Sequence, residues 1–463
     1  MPFDLPVSAD VDVLVAGGGP AGVAAALSAA RNGARVLLVE KMGFLGGSAT
    51  AAQVPAFAPF SDRTKSVVRG IGWEVLTNML ACTGRPVPDP DGYAVPQDKA
   101  RMDWVPIDVE ALKCLYDDLC QAAGVQVLFH TFVPEVARDA SRLSAIVLAN
   151  KDGLSRAKAK VFLDATGDAD LAARAGCPFH QGDETGATQG MTLCFTVAGG
   201  SREAYLAYVH QTGDGFLARL IAQARAAGDY DLPDASLVGL SFKNETVAGA
   251  NMGHIYGHDS TNALSVSAAE REGRRVVQKL LPFLRKYVPG QQNLFLVSTG
   301  AHIGVRESRR IVGDYTLTLD DYLSCRTFPD DIARCAYFID LHAVTSAAAA
   351  RAKTISDGGE KKSYALPPGK SHGIPYRCLL PQDIENLLVA GRCLSADRAV
   401  QGAARVMPFC FAMGEAAGLA AALAAQSTGR VRDVNVPNLQ ACLRAQGAWL
   451  GDDSFPKKGL PNE

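Results

Sequence analysis

The chain has 463 residues, 48% of them hydrophobic and 20% charged, with 46 Lys and Arg against 48 Asp and Glu and a formal net charge of −2. That length exceeds the usual size of one core and predicts two interleaved domains. The near-neutral balance, without long basic runs, argues against nucleic acid or an anionic membrane as the main partner.

The opening stretch MPFDLPVSAD lacks a charged-then-apolar leader, and the apolar run over 11–30 is broken by glycines, so no membrane span is expected. Eleven cysteines without a C-x-x-C pair predict reduced thiols in a cytoplasmic protein, and support neither a ferredoxin motif nor a disulfide redox centre. Residues 11–40, VDVLVAGGGPAGVAAALSAARNGARVLLVE, read as strand, glycine turn, helix and strand. Gly17, Gly19 and Gly22 stand at G-x-G-x-x-G spacing: the first permits the turn, the second lets backbone approach a diphosphate, and the third lets helix and strand pack closely. The diphosphate would sit on the helix N-terminus, and Glu40, closing the second strand, is suited to ribose hydroxyls. A carboxylate there disfavours a 2′-phosphate, so FAD or NAD fits better than NADP.

Gly46, Gly47 and Ser48, in GFLGGSAT, read as a loop that lets backbone near a ligand, against the plainer reading of a flexible connection. Prolines and turn pairs over 61–100 predict a loop-rich excursion, and helical spacing over 107–123 predicts a helix capped by Asp108. Strands follow to residue 164, ending in the Asp164 to Asp168 turn before a short helix. From about 190 the pattern changes: a strand over 190–200, an amphipathic helix over 266–288, and a segment over 298–320 that gathers His302, Arg306, Arg309 and Arg310. Over 384–425 a buried strand, a glycine turn and a small-residue helix return, and the polar tail from 443 is expected on the surface.

Together VLVAGGGPAGVAAALSAARNGARVLLVEK, GFLGGSAT, LDATGDADLAARAG, RESRRIVGDYTLTLDD, IPYRCLLP and NLLVAGRCLSADRAVQGAARVMPFCFAMGEAAGLAAA resemble the FAD-dependent oxidoreductases of the glutathione-reductase-like superfamily. More narrowly, the chain resembles the broad bacterial FAD dependent oxidoreductase family. The resemblance implies an α/β fold: a Rossmann-like FAD-binding domain, a parallel sheet with a small antiparallel meander, interleaved with an α+β substrate domain. The FAD-binding parts are expected at 1–60, 101–190 and 371–435, the insertion at 61–100, the substrate domain at 191–370 and the tail at 436–463.

Carried over by position, the resemblance puts the diphosphate on Gly17, Gly19, Pro20, Ala21 and Gly22, the ribose on Glu40 and Lys41, and the ribityl chain or ring near Gly46, Gly47 and Ser48. It puts adenine by the backbone of Val133, a central binding turn at Thr166, Gly167 and Asp168, and the pyrimidine edge near Gly391, Arg392, Gly402 and the following helix. No His follows the Gly-Gly pair, so non-covalent FAD is expected. The chain departs from disulfide reductases, lacking their cysteine pair and second glycine fingerprint, and from aromatic hydroxylases, lacking their Gly-Asp pair near the C-terminus.

Flavin chemistry on a carbon needs a proton-managing group. His302 is the first candidate and His372 the second, ahead of His254, His258 and His342; each has the alternative of a structural histidine. Arg306 and Arg309 would form a carboxylate clamp if their segment is helical, or else join an ion-pair network with Glu307, Arg310 and Asp314. Tyr376 could point into the cleft or lie in the core. No H-E-x-x-H or acidic calcium loop occurs, so no metal is expected. These residues predict hydride transfer between flavin and a small polar oxygen-bearing substrate, with an unknown electron acceptor or donor. The alternatives are a flavin-holding electron-transfer or sensor protein acting with a partner, and a flavin monooxygenase. Homo-oligomerisation is left open.

Overall fold

The computed structural model describes residues 5–91, 104–351 and 364–451. Strand Val7–Ala16 lies between Val36–Val39 and Gly153–Asp164, parallel to both, and Gln126–Leu128 extends the sheet beyond Val36–Val39. The twelve-residue strand Gly153–Asp164 serves two partners along one edge. Its first half pairs antiparallel with Arg142–Asn150, which pairs with Phe132–Asp139, while its last residues pair parallel with Leu387–Val389. The result is a seven-stranded sheet, a Rossmann-like parallel core with an antiparallel meander, so the expected α/β class is the observed one.

Alternation of side chains explains the layers. Val13 and Val15 face the helices, whereas Leu14 and Ala16 face the meander. Four strands carry their C-terminal ends to one edge, where Ala16, Val39, Asp164 and Val389 run into the turns at 17–19, 40–42, 165–168 and 390–392. A ligand crevice forms at such an edge in open α/β sheets.

Helix Pro20–Arg31 is pressed against helix Met407–Ala425. A Cβ on Gly414 or Gly418 would stand 2.1 Å from the carbonyl oxygens of Ala21 and Ala25 respectively, so these two glycines set the helix separation. Met407–Ala425 has the length and apolarity of a membrane span, yet 89% of its apolar window is buried inside the protein, as befits a core helix.

Within that helix, Glu415 accepts a hydrogen bond from Ile71 N at 3.0 Å and caps helix Ile71–Cys82, whose preceding Gly70 has no side chain to do so. Burial pushes the Glu415 carboxyl from its ordinary 4.5 up to about 8, against the lowering effect of the Ile71 amide and Arg31. The folded protein therefore binds an extra proton between those pH values, and stability falls as pH rises from about 4.5 towards 8. We expect Glu415→Gln to flatten that decline; thermal melts at pH 6 and pH 8 check it, and an unchanged slope would refute it.

A second unit is built on an antiparallel sheet in the order Ser241–Phe242, Val247–Ala250, Phe195–Ala198, Phe295–Thr299, covered by helix Ala263–Tyr287 around a separate apolar cluster. Three local expectations are corrected. Residues 71–82, inside the expected loop-rich insertion, form a helix because Ile71, Val75, Leu76 and Met79 bury one face. The segment over 298–320 is not helical where the two arginines lie, for residues Arg309–Ile311 form a strand with Phe179–Gln181. Part of the expected surface tail is core: Leu443, on helix Val436–Ala445, and Leu450 are buried.

Candidate active site

The four turns at the sheet edge line one end of a cavity of about 810 Å³. Gly17 adopts φ +94°, a conformation that favours glycine, and its backbone runs so close to Ala165 that a Cβ would come within 2.6 Å of that carbonyl oxygen. Gly22 is tighter still, for its Cβ would meet Gly17 O at 1.8 Å. Gly46 N donates to Gly18 O at 2.7 Å, which draws the 46–48 loop onto the fingerprint turn. Both oxygens of Glu40 accept turn amides, Gly18 N at 2.7 Å and Met42 N at 2.8 Å, and the carboxylate still lines the cavity.

Gly17, Gly19, Pro20, Ala21, Glu40, Lys41, Gly47, Ser48, Thr166, Gly167, Asp168, Gly391 and Arg392 line this end, with Gly22 and Gly46 immediately behind them. Bare backbone at the start of the twelve-residue helix Pro20–Arg31, together with the cavity-lining Glu40 carboxylate, fits a dinucleotide. Val133 and Gly402 are corrected. Val133 packs against the cluster under the meander, and Gly402 lets helix Arg398–Ala404 approach the Asp340 carbonyl; neither lines the cavity.

Arg392 joins two strand ends: one guanidinium nitrogen donates to Asp168 Oδ1 at 3.0 Å and another to Ser308 Oγ at 3.0 Å. Burial opposes ionisation of Asp168, but Arg392, Ser308 and Lys41 outweigh it and hold its pKa below the ordinary value. His302 lies nearby, its Nδ1 2.6 Å from Ile303 O and its Nε2 3.4 Å from Lys41 Nζ. Nδ1 therefore donates, and Nε2 faces the ammonium as an acceptor. Burial, reinforced by Lys41, lowers its pKa to about 4, so the ring is neutral at pH 7.

The other end of the cavity is polar. Thr192, Asn251, Arg306, Asp340, His342 and Arg405 line it. Arg306 donates to Gly190 O at 2.7 Å, Thr192 Oγ1 at 2.8 Å and Asn251 Oδ1 at 3.0 Å, all neutral acceptors. Arg405 donates to Asp340 Oδ2 at 3.1 Å. Burial disfavours the Asp340 carboxylate, but the Arg405 and Arg306 guanidiniums keep it ionised, well below the usual range. Burial and Arg306 push His342 down to about 3.

Three catalytic candidates are corrected by position. His372 is fully buried against the Tyr322 ring, with Nδ1 3.0 Å from Gly373 O. Tyr376 donates its hydroxyl to Val431 O at 2.8 Å inside the core. Arg309 donates to Asp168 O and Asp170 Oδ1, each at 3.0 Å, and stacks on Phe179. None of the three lines the cavity, and Arg309 shares no clamp with Arg306, for Arg309 bonds to Asp168 and Asp170 whereas Arg306 bonds to Gly190, Thr192 and Asn251. The ion-pair alternative holds in part: fully buried Glu307 receives Arg310 at 2.8 Å and Arg398 at 2.9 Å.

Sequence reasoning ranked low or passed over Asp340, His342, Arg405 and Asn251; Arg405 lies inside the stretch NLLVAGRCLSADRAVQGAARVMPFCFAMGEAAGLAAA, and the other three lie in none of the stretches that carry the resemblance. Their one signal is the alternation of Asp340 and His342 with apolar neighbours in FIDLHAV, polar groups set into a buried run.

Among curated proteins none matches the chain. Among solved structures it is similar to a geranylgeranyl bacteriochlorophyll reductase-like protein from Thermoplasma acidophilum, at 12% identity and TM-score 0.46 over 95% of this chain and 84% of that one. It is also similar to an anhydrotetracycline hydroxylase from Streptomyces rimosus, at 12% identity and TM-score 0.43 over 94% of this chain and 65% of that one. A flavin-dependent brominase is similar at 12% identity and TM-score 0.42, over 94% and 83%. The model of the family described as FAD dependent oxidoreductase matches residues 12–443. The chain belongs to that family.

Proposed function

We propose that this FAD-dependent oxidoreductase transfers a hydride between its flavin and a small polar, oxygen-bearing organic substrate, and that it is of the glutathione-reductase-like kind. One observation carries the reading: a single cavity runs from the dinucleotide turns to a pocket bearing Arg306, Arg405, Asp340 and His342. In this reading residues 1–60, 101–190 and 371–435 hold the cofactor without a covalent bond, and 191–370 supply most of the substrate side. When bound, FAD supplies two-electron redox chemistry. The chain's own residues orient the substrate on the cationic pocket, exclude water from it and accept its proton. Electrons enter or leave through a carrier outside the chain, and eleven free thiols suit a cytoplasmic setting.

The test is the visible spectrum of the purified protein, followed anaerobically as hydroxy acids, polyols, sugars and amino acids are added in turn. Bleaching by one of them supports the reading. A yellow protein that none of them bleaches, but that a partner subunit reduces, would replace it with electron transfer. A hydroxylated product formed only under oxygen would replace it with monooxygenation.

A further inference from the structure

At the polar end of the cavity two carboxylates and two imidazoles stand in single file. Asp234 Oδ1 is 2.6 Å from His254 Nδ1, His254 Nε2 is 2.9 Å from His342 Nδ1, and His342 Nε2 is 3.2 Å from Asp340 Oδ1. His342 and Asp340 line the cavity, while Asp234 and His254 lie behind them, 3% and 6% exposed.

The protons can be counted. Two neutral imidazoles carry two N–H groups. If His254 donates Nδ1–H to Asp234 and His342 donates Nδ1–H to His254, both short contacts are hydrogen bonds. Nε2 of His342 is then left as a lone pair on the cavity side that faces Asp340 Oδ1 at 3.2 Å, the longest of the three contacts and so the least costly to leave without a proton. The opposite order would satisfy Asp340 but leave His254 Nδ1 and the Asp234 carboxylate as two acceptors at 2.6 Å, a stronger repulsion than the one at 3.2 Å.

We propose that His342 Nε2 accepts the substrate's hydroxyl proton and that the His342–His254 pair hands one proton on to Asp234. The inference rests on the hydride-transfer reading, with flavin as the hydride acceptor. The substrate C–H bond breaks with its electron pair leaving as hydride, the O–H bond breaks to protonate His342 Nε2, and the C=O bond closes. The His342 Nδ1 proton moves to His254 Nε2, and the His254 Nδ1 proton moves to Asp234. Each ring gains one proton and loses one, so both end neutral with their tautomers reversed, and Asp234 ends as a carboxylic acid.

A relay answers a difficulty that a lone base would meet. An imidazolium at His342 is disfavoured by burial and by Arg306, and one at His254 by burial. Passing the proton along avoids both cations and ends on the Asp234 carboxylate. The charged and titratable groups around the file are Arg306, Asp340 and Arg405 on the cavity side, and Tyr256, whose hydroxyl is 3.4 Å from Asp234 Oδ1. Behind, Arg225 donates to the Asp234 carbonyl at 3.1 Å. His342 is thus the catalytic residue, and His254 and Asp234 are positioning residues.

The test uses holoenzyme labelled with ¹⁵N in histidine, with the two rings assigned by the signals lost in His254→Gln and His342→Gln. At rest both rings should be neutral Nδ1–H tautomers from pH 6 to 9. Asp234→Asn, whose amide oxygen can accept from His254 but whose side chain cannot take up the proton, should keep FAD and both tautomers yet slow anaerobic flavin reduction about 100-fold, with donor affinity unchanged. An Nε2–H tautomer or an imidazolium at His342 overturns the relay, and so does an Asp234→Asn protein that reduces flavin at the parent rate. The tautomers need no donor to be read. Failure of every donor beside Nδ1–H rings would therefore count against hydride transfer and not against the proton order.

Discussion

Gly22→Ala should yield a protein without FAD that melts well below the parent, whereas Gly19→Ala should fold as well as the parent and lose affinity for FAD all the same. The two glycines are three residues apart but meet different surroundings. A Cβ on Gly22 would stand 1.8 Å from the carbonyl oxygen of Gly17, a contact of backbone on backbone that no rotamer change relieves. Helix Pro20–Arg31 must move off the turn, and overpacking of this kind costs about 1–3 kcal/mol. The same movement spoils the cradle, so the stabilisation that bound cofactor adds, about 2.7 kcal/mol at a hundredfold excess over Kd, goes with it. Gly19 differs. The nearest atom to its Cβ is Gly47 Cα at 4.0 Å, and its φ of −73° suits any residue. An alanine methyl there meets little of the protein and stands where backbone should approach the diphosphate. Affinity should fall at least about tenfold, roughly 1.4 kcal/mol, with no change in the melting of the cofactor-free protein. Flavin content after purification and melts with and without added FAD separate the cases. Two variants that behave alike would mean that the turn does not distinguish packing from ligand contact.

That contrast also shows which parts of the site were legible in sequence. The cofactor end is local: Gly17, Gly19, Gly22 and Glu40 fall within 24 residues, and each answers to one backbone requirement at one strand-to-helix junction. The turns at 165–168 and 390–392 were legible for the same reason, since strand, glycine and polar residue follow one another along the chain. The substrate end has no such grammar. Asp234, His254, Arg306, the pair Asp340 and His342, and Arg405 come from separate segments, and tertiary packing brings them to one end of the cavity or just behind it. His372 and Tyr376 stood out by their neighbours in sequence, yet the strand His372–Pro375 and the turn after it carry both into the core. Arg306 and Arg309 were spaced for a helix, and the pairing of Arg309–Ile311 with Phe179–Gln181, a tertiary contact, overrode that period.

Arg306→Met should leave flavin content intact and cut kcat/KM for the donor by about 100- to 1,000-fold, roughly 2.7–4 kcal/mol of transition-state stabilisation. Arg306 is 8% exposed and its three acceptors are all neutral, so the buried guanidinium has no carboxylate among them to cancel its charge. Such a charge is costly to hold, and a sequence selected for stability alone would favour an apolar side chain there. The charge is then best understood as serving the cavity it lines. Methionine fills a similar volume without the charge, and the dinucleotide turns do not touch Arg306, so folding and FAD binding should survive its replacement. Arg306→Lys keeps the charge but not the planar fork that reaches Gly190, Thr192 and Asn251 together, and should fall between parent and Met, near a tenfold loss. A Met variant with parental kcat/KM would assign Arg306 to structure. A graded series from Arg to Lys to Met, at constant flavin content, would assign its charge to an electron-rich oxygen on the substrate.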